Sequence, residues 1–373
     1  MEHHEQDKHP SHAEHGRDLD RDIAEALCER VRRADADKTP LRIVGGDTKA
    51  FYGRNVAGET LSLAEHRGIT HYDPVELVIS VRSGTPLAEL EVALDAEGQQ
   101  LGCEPPHFGD AASVGGMLAT GLSGPRRPWA GSVRDFVLGT RVISHEGKQL
   151  RFGGEVMKNV AGYDLSRLMV GAQGTLGVVT EVSLKVLPKP TASHGLRLDM
   201  PLDDALHRFA EWGRRPMPIT AAAYHDGALH LRLEGGASSV AATVERLGGD
   251  ALDAGFWHKL REQRLAFFDD TDPRPLWRLS LPTNTPPLAV SGDVLYDWAG
   301  AQRWLRSDMD ADKLRESVAR AGGHATCYTP HDKGGAAEPF TPLAPVVAKY
   351  HRQLKAQLDP NGIFNPGRLY PEL

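Results

Sequence analysis

Three glycine-rich stretches hold the residues best suited to chemistry: "VGGDTKAFYG" (44–53), "GDAASVGGMLATGLSG" (109–124) and "GAQGTLG" (171–177). Glycine lets a main chain approach a ligand closely with its N–H groups exposed. Successive N–H groups form a concave nest for anions. Three such loops in one half of the chain could cradle a large phosphate-bearing cofactor. They could equally be tight turns of an α/β fold. The first loop fits neither common phosphate template, G-x-x-x-x-G-K-[S/T] or G-x-G-x-x-G. Lys49 follows Thr48 rather than a glycine, and no third glycine stands in register. A nucleoside triphosphatase site and a nicotinamide-type Rossmann site are therefore excluded at this loop.

Arg126 and Arg127 close the second glycine stretch. A guanidinium is the best anchor for a small carboxylate because it pairs with both oxygens; a solvated basic turn is the alternative. His324, in "GGHATCY" (322–328), is of the type that can take a proton near neutrality, or it is a structural histidine. His331 follows it, but two histidines do not make a metal site, and no metal is expected. Cys28, Cys103 and Cys327 are far apart with no C-x-x-C pair. They read as buried thiols, so no iron–sulphur cluster is expected within this chain. Residues 1–16 hold five histidines, which could bind metal. Their lack of apolar periodicity points instead to a disordered tail.

The elements that must position these residues are legible in part. "DLDRDIAEALCERVRRADADKTP" (18–40) has the spacing of an amphipathic helix stopped at Pro40. "LRIVG" then reads as a strand leading into the first loop. Residues 77–102 read strand, turn, helix, with Thr85 as N-cap, Pro86 in the first helical position and Gly98 at the end. Residues 132–154 read as a hairpin turning at "HEGK". The stretch 195–328 alternates modest strands and helices, as in an α+β domain with helices on one face of an antiparallel sheet. Leu343, Val346, Val347, Tyr350, Leu354 and Leu358 make one apolar stripe on a helix over 342–359. The chain of 373 residues has a net charge of −7, which argues against nucleic-acid binding. It has no run approaching the roughly 18–20 apolar residues of a spanning helix and no signal core. A cytoplasmic protein is expected, peripheral to the inner membrane only through partners.

Residue identities add a resemblance. "FGDAASVGGMLATGLSG" (108–124) and "AGYDLSRLMVGAQGTLGVVTEVSLKVLP" (161–188) resemble the signature stretches of PCMH-type, or vanillyl-alcohol-oxidase-like, FAD-binding flavoproteins. Within that family "SGPRRPWAGSVRDFVLG" (123–139), "KNVAGYDLSRL" (158–168), "GGHATCY" and "DPNGIFNPGRLYP" (359–371) are similar to the FAD-binding subunits of bacterial glycolate oxidases. The resemblance implies an α+β chain: a disordered His-rich tail (1–17), a PCMH-type FAD-binding domain of two α/β subdomains (18–190), a smaller α+β cap with an antiparallel sheet (191–340), and a C-terminal helix and tail packing back on the FAD domain (341–373). It implies that Gly45, Gly46, Asp47, Thr48 and Lys49 hold the pyrophosphate of FAD. Asp110, Ser113, Val114, Gly115, Gly116, Ala119 and Thr120 would line a second wall, and Gly171, Gly174, Thr175, Gly177 and Val178 a third. No histidine occupies the first loop, so the FAD would be non-covalent. The implied reaction is oxidation of a small 2-hydroxy acid such as glycolate, with Arg126, Arg127 and His324 as candidate catalytic residues. The implied partners are a larger FAD-containing subunit and an iron–sulphur subunit, with a quinone-type acceptor. Metal-bearing relatives carry "H-x-G-D-G-N-x-H", whereas "ATCYTP" separates the two histidines here. An assembly subunit that binds FAD without turning over, and a stand-alone dehydrogenase of another hydroxy acid, stay open as alternatives.

Overall fold

The computed structural model describes residues 20–154, 164–253, 255–328 and 337–373; the His-rich segment 1–17 and His331 lie outside the described residues. Helix α1 (Ala24–Asp37) begins where Asp22 Oδ1 accepts from Ala24 N, and it ends at Lys38 in the left-handed conformation, two residues before Pro40. Its apolar face of Leu27, Cys28, Val31 and Ala34 packs on Leu41, Leu61 and Leu63. These last belong to, or directly follow, two short parallel strands, β1 (Leu41–Val44) and β2 (Glu59–Ser62). The first glycine loop connects them.

The second unit is a five-stranded antiparallel sheet. Its strands are β3 (Ile69–Asp73), β4 (Val78–Arg82), β6 (Val137–Ile143), β7 (Gln149–Gly153) and β8 (Val178–Lys185), in the order β3-β4-β8-β6-β7. The short pair β5 (Gln99–Gln100) and β9 (Leu187–Pro188) lies apart from it. Helices α2 (Leu87–Ala96) and α3 (Val114–Thr120) bury Leu87, Leu90, Leu94, Met117 and Leu118 against Ile79, Val81, Val182 and Leu184. Here the structure departs from the sequence reading. Thr85 does not cap α2: its hydroxyl accepts from Gly68 N, and Pro86 stands in the cap position. Instead Leu87 N donates to Ala112 O and Val114 N to Thr85 O. The second glycine loop thus completes the start of α2, and strand β4, helix α2 and that loop are fixed as one piece. Two short helices, α4 (Arg127–Ala130) and α5 (Val133–Phe136), lead into the β6–β7 hairpin, and α6 (Leu165–Leu168) precedes the third loop.

The third unit is an eight-stranded antiparallel sheet. Its strands are β10 (Ala192–Asp199), β11 (Ile219–His225), β12 (Ala228–Gly235), β13 (Asp250–Ala251), β14 (Leu276–Ser280), β15 (Asp293–Asp297), β16 (Gln302–Arg306) and β17 (His324–Cys327), ordered β13-β10-β12-β11-β15-β16-β14-β17. Strand residues alternate between faces. One face carries Leu229, Leu231 and Leu233 under α7 (Leu202–Trp212) and α8 (Ala237–Leu247), and Trp277, Leu279 and Leu305 under α10 (Ala311–Arg320). The other face meets the first two units. Leu276, Leu295, Trp304 and Tyr328 pack there with Tyr52 and Leu122, beside Phe256, Trp257 and Leu260 of α9 (Phe256–Arg261). Helix α11 (Pro345–Leu358) touches the body only near its end. Lys355 is buried, while Val346, Val347 and Tyr350 are exposed. The apolar stripe read from the sequence is therefore real as a helix face but uncovered over its first two turns.

Candidate functional site

The three glycine loops meet in one cleft, open to solvent. Gly45, Gly46, Asp47, Thr48 and Lys49 line it, with Ser113, Gly115, Gly116, Ala119 and Thr120 opposite and Gly174 and Gly177 at the third side. Asp110 is exposed and outside the lining, and Val114, Thr175 and Val178 are buried behind it. Gly171 also falls outside the lining.

Glycine is required at the first loop for a reason the sequence could not show. A Cβ on Gly46 would fall 1.4 Å from Ala111 O, and one on Gly45 would fall 2.2 Å from Ser113 Oγ. The first and second loops press directly on one another. Asp47 has φ 55, the left-handed region, which turns consecutive N–H groups toward one side. Among the described residues, none accepts from the N–H groups of Gly46, Asp47, Thr48 or Lys49. The side chains of Thr48 and Lys49 are tied to the main chain just before the second loop. Thr48 Oγ1 and Lys49 Nζ both donate to His107 O, at 2.8 and 3.1 Å. Burial lowers the Lys49 pKa to about 8, and Glu262 opposes the shift. Glu262 in turn accepts from His107 N and Phe108 N, which pins the start of the second loop to the eight-stranded unit.

The two predicted arginines have different surroundings. Arg126 is locked in a buried ring of four charges. Its Nε lies 3.2 Å from Glu104 Oε1 and its Nη2 2.6 Å from Glu234 Oε2, while Arg232 contacts both carboxylates at 2.8 and 3.3 Å. Burial pushes Glu104 upward, but Arg232 and Arg126 outweigh it and hold the carboxyl below the usual range. Both edges of the Arg126 guanidinium are occupied, so this arginine joins the two halves of the chain instead of facing a substrate. Arg127 is exposed and stacks on Trp298, 4.5 Å from the ring centroid. Trp298 is held by Nε1–H donation to Gly124 O at 3.0 Å. The Arg127 pKa is lowered by burial first and then by the nearby Arg278.

Arg278, on β14, was not singled out by the sequence. Its Nη2 donates to Tyr52 OH at 3.2 Å, and its Nε is buried without a partner. Strand register places it diagonal to His324, since Ser280 pairs with His324 and Arg278 with Thr326. Alternation puts both side chains on the face that meets the glycine loops. His324 keeps an exposed surface, yet loss of hydration on the inward part of its ring, and then the Arg278 charge, hold its pKa below the ordinary histidine value. Among the described residues, neither Arg127 nor Arg278 pairs with a carboxylate, and no group of three His, Cys, Asp or Glu could hold a metal. The three cysteines are buried and form no disulfide.

Residues 23–153 match the model of the family described as "FAD binding domain". The Glycolate oxidase subunit GlcE of Escherichia coli (strain K12) is 55% identical over 352 residues, covering 94% of this chain and 99% of that protein. The chain belongs to the GlcE family of glycolate oxidase subunits. A D-lactate dehydrogenase of Anaerostipes hadrus is 36% identical over 170 residues, 44% of this chain and 35% of that protein. A crystal structure of p-cresol methylhydroxylase with substrate bound shares the fold at a TM-score of 0.68 and 15% identity, covering 93% of this chain and 87% of that one.

FAD is the cofactor of this GlcE-family chain, and the cleft fits it on physical grounds. The unpaired N–H groups of the first loop suit a diphosphate. Arg42, Lys49 and Arg368 outnumber the single acid, Asp47, in the lining, and Asp47 is paired with Arg42. Ile43, Val44, Leu118, Met169 and Val179 supply apolar wall for flat rings. No histidine or cysteine lines the cleft among the described residues, so no side chain there offers a covalent attachment. Among the described residues, no helix is long and apolar enough to cross a membrane.

Proposed function

We propose that this chain oxidises a small 2-hydroxy acid, glycolate foremost, to the 2-oxo acid as the FAD-binding subunit of a glycolate oxidase complex. The observation that carries this reading is the pair of guanidinium groups, Arg127 and Arg278, whose charges act on one another while neither forms an ion pair among the described residues, Asp135 offsetting the charge of Arg127 only in part. Two like charges are kept together only at a cost, and that cost is relieved when an anion enters. A substrate carboxylate is such an anion. Trp298 holds Arg127 in place by stacking, and Tyr52 holds Arg278 from the first glycine loop. His324, kept neutral by its surroundings, is the residue to take the hydroxyl proton. Bound FAD supplies the acceptor for the hydride that leaves the α-carbon.

With no cysteine cluster in this chain, single electrons need an acceptor elsewhere. A larger FAD subunit, an iron–sulphur subunit and a quinone-type acceptor complete the proposed complex. A second reading, an FAD-binding assembly subunit that turns nothing over, draws support from the exposed position of His324 at the end of an edge strand. One experiment separates them. The purified yellow chain is mixed with glycolate without oxygen. Bleaching of the parent, with Arg278→Met and Arg127→Met each needing at least about tenfold more glycolate at unchanged flavin content, supports catalysis here. Bleaching only after the larger subunit is added supports the second reading. Equal bleaching of parent and variants would remove the two arginines from the substrate site.

A further inference from the structure

The first and third glycine loops are tied together by residues from the far end of the chain. Ile43 N donates to Asn365 Oδ1 at 2.8 Å, across 322 positions of sequence, and Asn365 Nδ2 donates to Gln173 O at 2.7 Å. One amide therefore links the end of β1 to the third loop. Three residues on, Arg368 repeats the arrangement on a larger scale. Its Nε donates to Gln173 Oε1 at 2.9 Å, its Nη1 to Arg54 O at 2.7 Å, and its Nη2 to Tyr52 O at 2.7 Å and Lys49 O at 3.3 Å. Both residues also line the cleft.

The tail that carries them is itself firmly seated. Leu41 N donates to Ile363 O and Asn365 N to Leu41 O, so the tail lies beside β1 as a short parallel extension. Buried Lys355 donates to Thr175 O, Asp359 Oδ2 and Phe364 O at 2.6 to 2.9 Å. Asp359 accepts from Ile363 N and Phe364 N. Asn365 has φ 38, a conformation Asn adopts more readily than most residues. The fit leaves no slack, because a Cβ on Gly174 would stand 2.8 Å from Asn365 Nδ2, and one on Gly53 would stand 2.7 Å from Gln173 Oε1. Among the described residues, Arg368 has no carboxylate within ion-pair distance, so its charge is left to act on the cleft.

We infer that Asn365 and Arg368 are positioning residues of the flavin cleft, setting the separation of its first and third walls through main-chain carbonyls. The inference rests on the reading that the glycine-lined cleft is where FAD binds. Without these two side chains the glycine loops keep their composition but lose their mutual distance, and the nest no longer meets the rest of the cofactor.

The test uses the full chain, stripped of flavin and titrated with FAD by fluorescence quenching, together with the melting temperature of the flavin-free protein. Asn365→Asp keeps the shape and the left-handed backbone but sets an acceptor against Gln173 O. Arg368→Met keeps the stem and removes every donor; Arg368→Lys keeps the charge with fewer donors and covers the case that Arg368→Met does not fold. Asn361→Ala is the control, since Asn361 ties the same tail to Asp35 and touches neither loop. The expected result is FAD affinity weakened at least about tenfold in Asn365→Asp and Arg368→Met, less in Arg368→Lys, and within about twofold of the parent in Asn361→Ala. FAD affinity unchanged in Asn365→Asp and in the folded Arg368 variants, even with a lowered melting temperature, would overturn the inference and leave the tail a mere scaffold. Gly116→Val, which crowds the cleft directly, separates the two readings. If it binds FAD normally, the cleft reading falls; if it alone loses FAD, only the role of the tail falls.

Discussion

Neighbouring glycines of the cleft are glycines for different reasons, and that difference is testable. A Cβ on Gly46 would overlap Ala111 O, and one on Gly115 would sit 2.8 Å from Ser83 Cβ, whereas one on Gly116 would meet only Ser113 Oγ at 3.3 Å. Gly46→Ala and Gly115→Val are therefore expected to lower the melting temperature of the flavin-free protein by several degrees, roughly what a destabilisation of 1–3 kcal/mol causes. Gly116→Val is expected to melt close to the parent and to lose FAD. A Gly116→Val protein that retains its flavin would show that the cofactor avoids α3. Lys49 gives a second prediction. Its amine, with a pKa lowered to about 8, gains a proton on average when an anion binds nearby. FAD affinity should then be flat below about pH 8 and fall above it, and Lys49→Met should remove that slope. The sequence shows the glycines as three conspicuous clusters, which the structure brings to one cleft. The sequence could not say which of them face a ligand and which face another loop, because that depends on residues distant in sequence, such as Ser113, 68 positions after Gly45.

Arg126 and Arg127 are adjacent in sequence and belong to different elements of the architecture. The turn before α4 buries Arg126 between Glu104 and Glu234, and this fixes the direction in which Arg127 leaves. Removing one member of such a ring leaves uncompensated charge in the interior, a loss of about 3–5 kcal/mol. Arg126→Met should accordingly lower stability and also raise the KM for glycolate by displacing Arg127, whereas Arg127→Met should raise KM with stability nearly unchanged. Equal stability of the two variants, measured by urea unfolding, would refute this division. No sequence pattern distinguishes the two arginines, since the partners of Arg126 come from the segment after β5 and from β12. Arg278 escaped notice for a similar reason: within "LWRLSLP" it reads as one polar residue of an alternating strand. The strands and helices themselves were legible because apolar spacing sets which face is buried. The cap of α2 was not, because a carbonyl from the second loop replaces the usual side chain.

The whole molecule is an eight-stranded sheet laid over two smaller units, and titration of that sheet sets a limit on its acid tolerance. His230 on β12 is buried, stacks on Phe256 at 4.3 Å, and has its pKa lowered to about 4 by burial first, with His225 and Arg197 adding to the shift. The unfolded chain takes up this proton near pH 6.5 and the folded chain does not. The stabilisation is therefore complete above pH 6.5 and is lost as pH falls from there toward 4, by about 3 kcal/mol. His230→Phe should flatten the stability profile over that window in urea unfolding; an unchanged slope would assign the acid sensitivity to other groups. The helical stripe of α11 marks the limit of legibility at this scale. Its periodicity was plain, but amphipathic spacing shows only that a face is apolar, not that this chain covers it, and Val346, Val347 and Tyr350 stand exposed.

The ties made by Asn365 also bear on when the holoprotein can form. A ribosome completes all three glycine loops by residue 177, but the side chain that joins β1 to the third loop is added only at position 365, 322 residues after Ile43. Until that segment has emerged and docked, the nascent chain has the parts of a cleft but not their spacing. On the inference drawn for Asn365, flavin capture is expected to wait until the full chain has been made and its tail has docked.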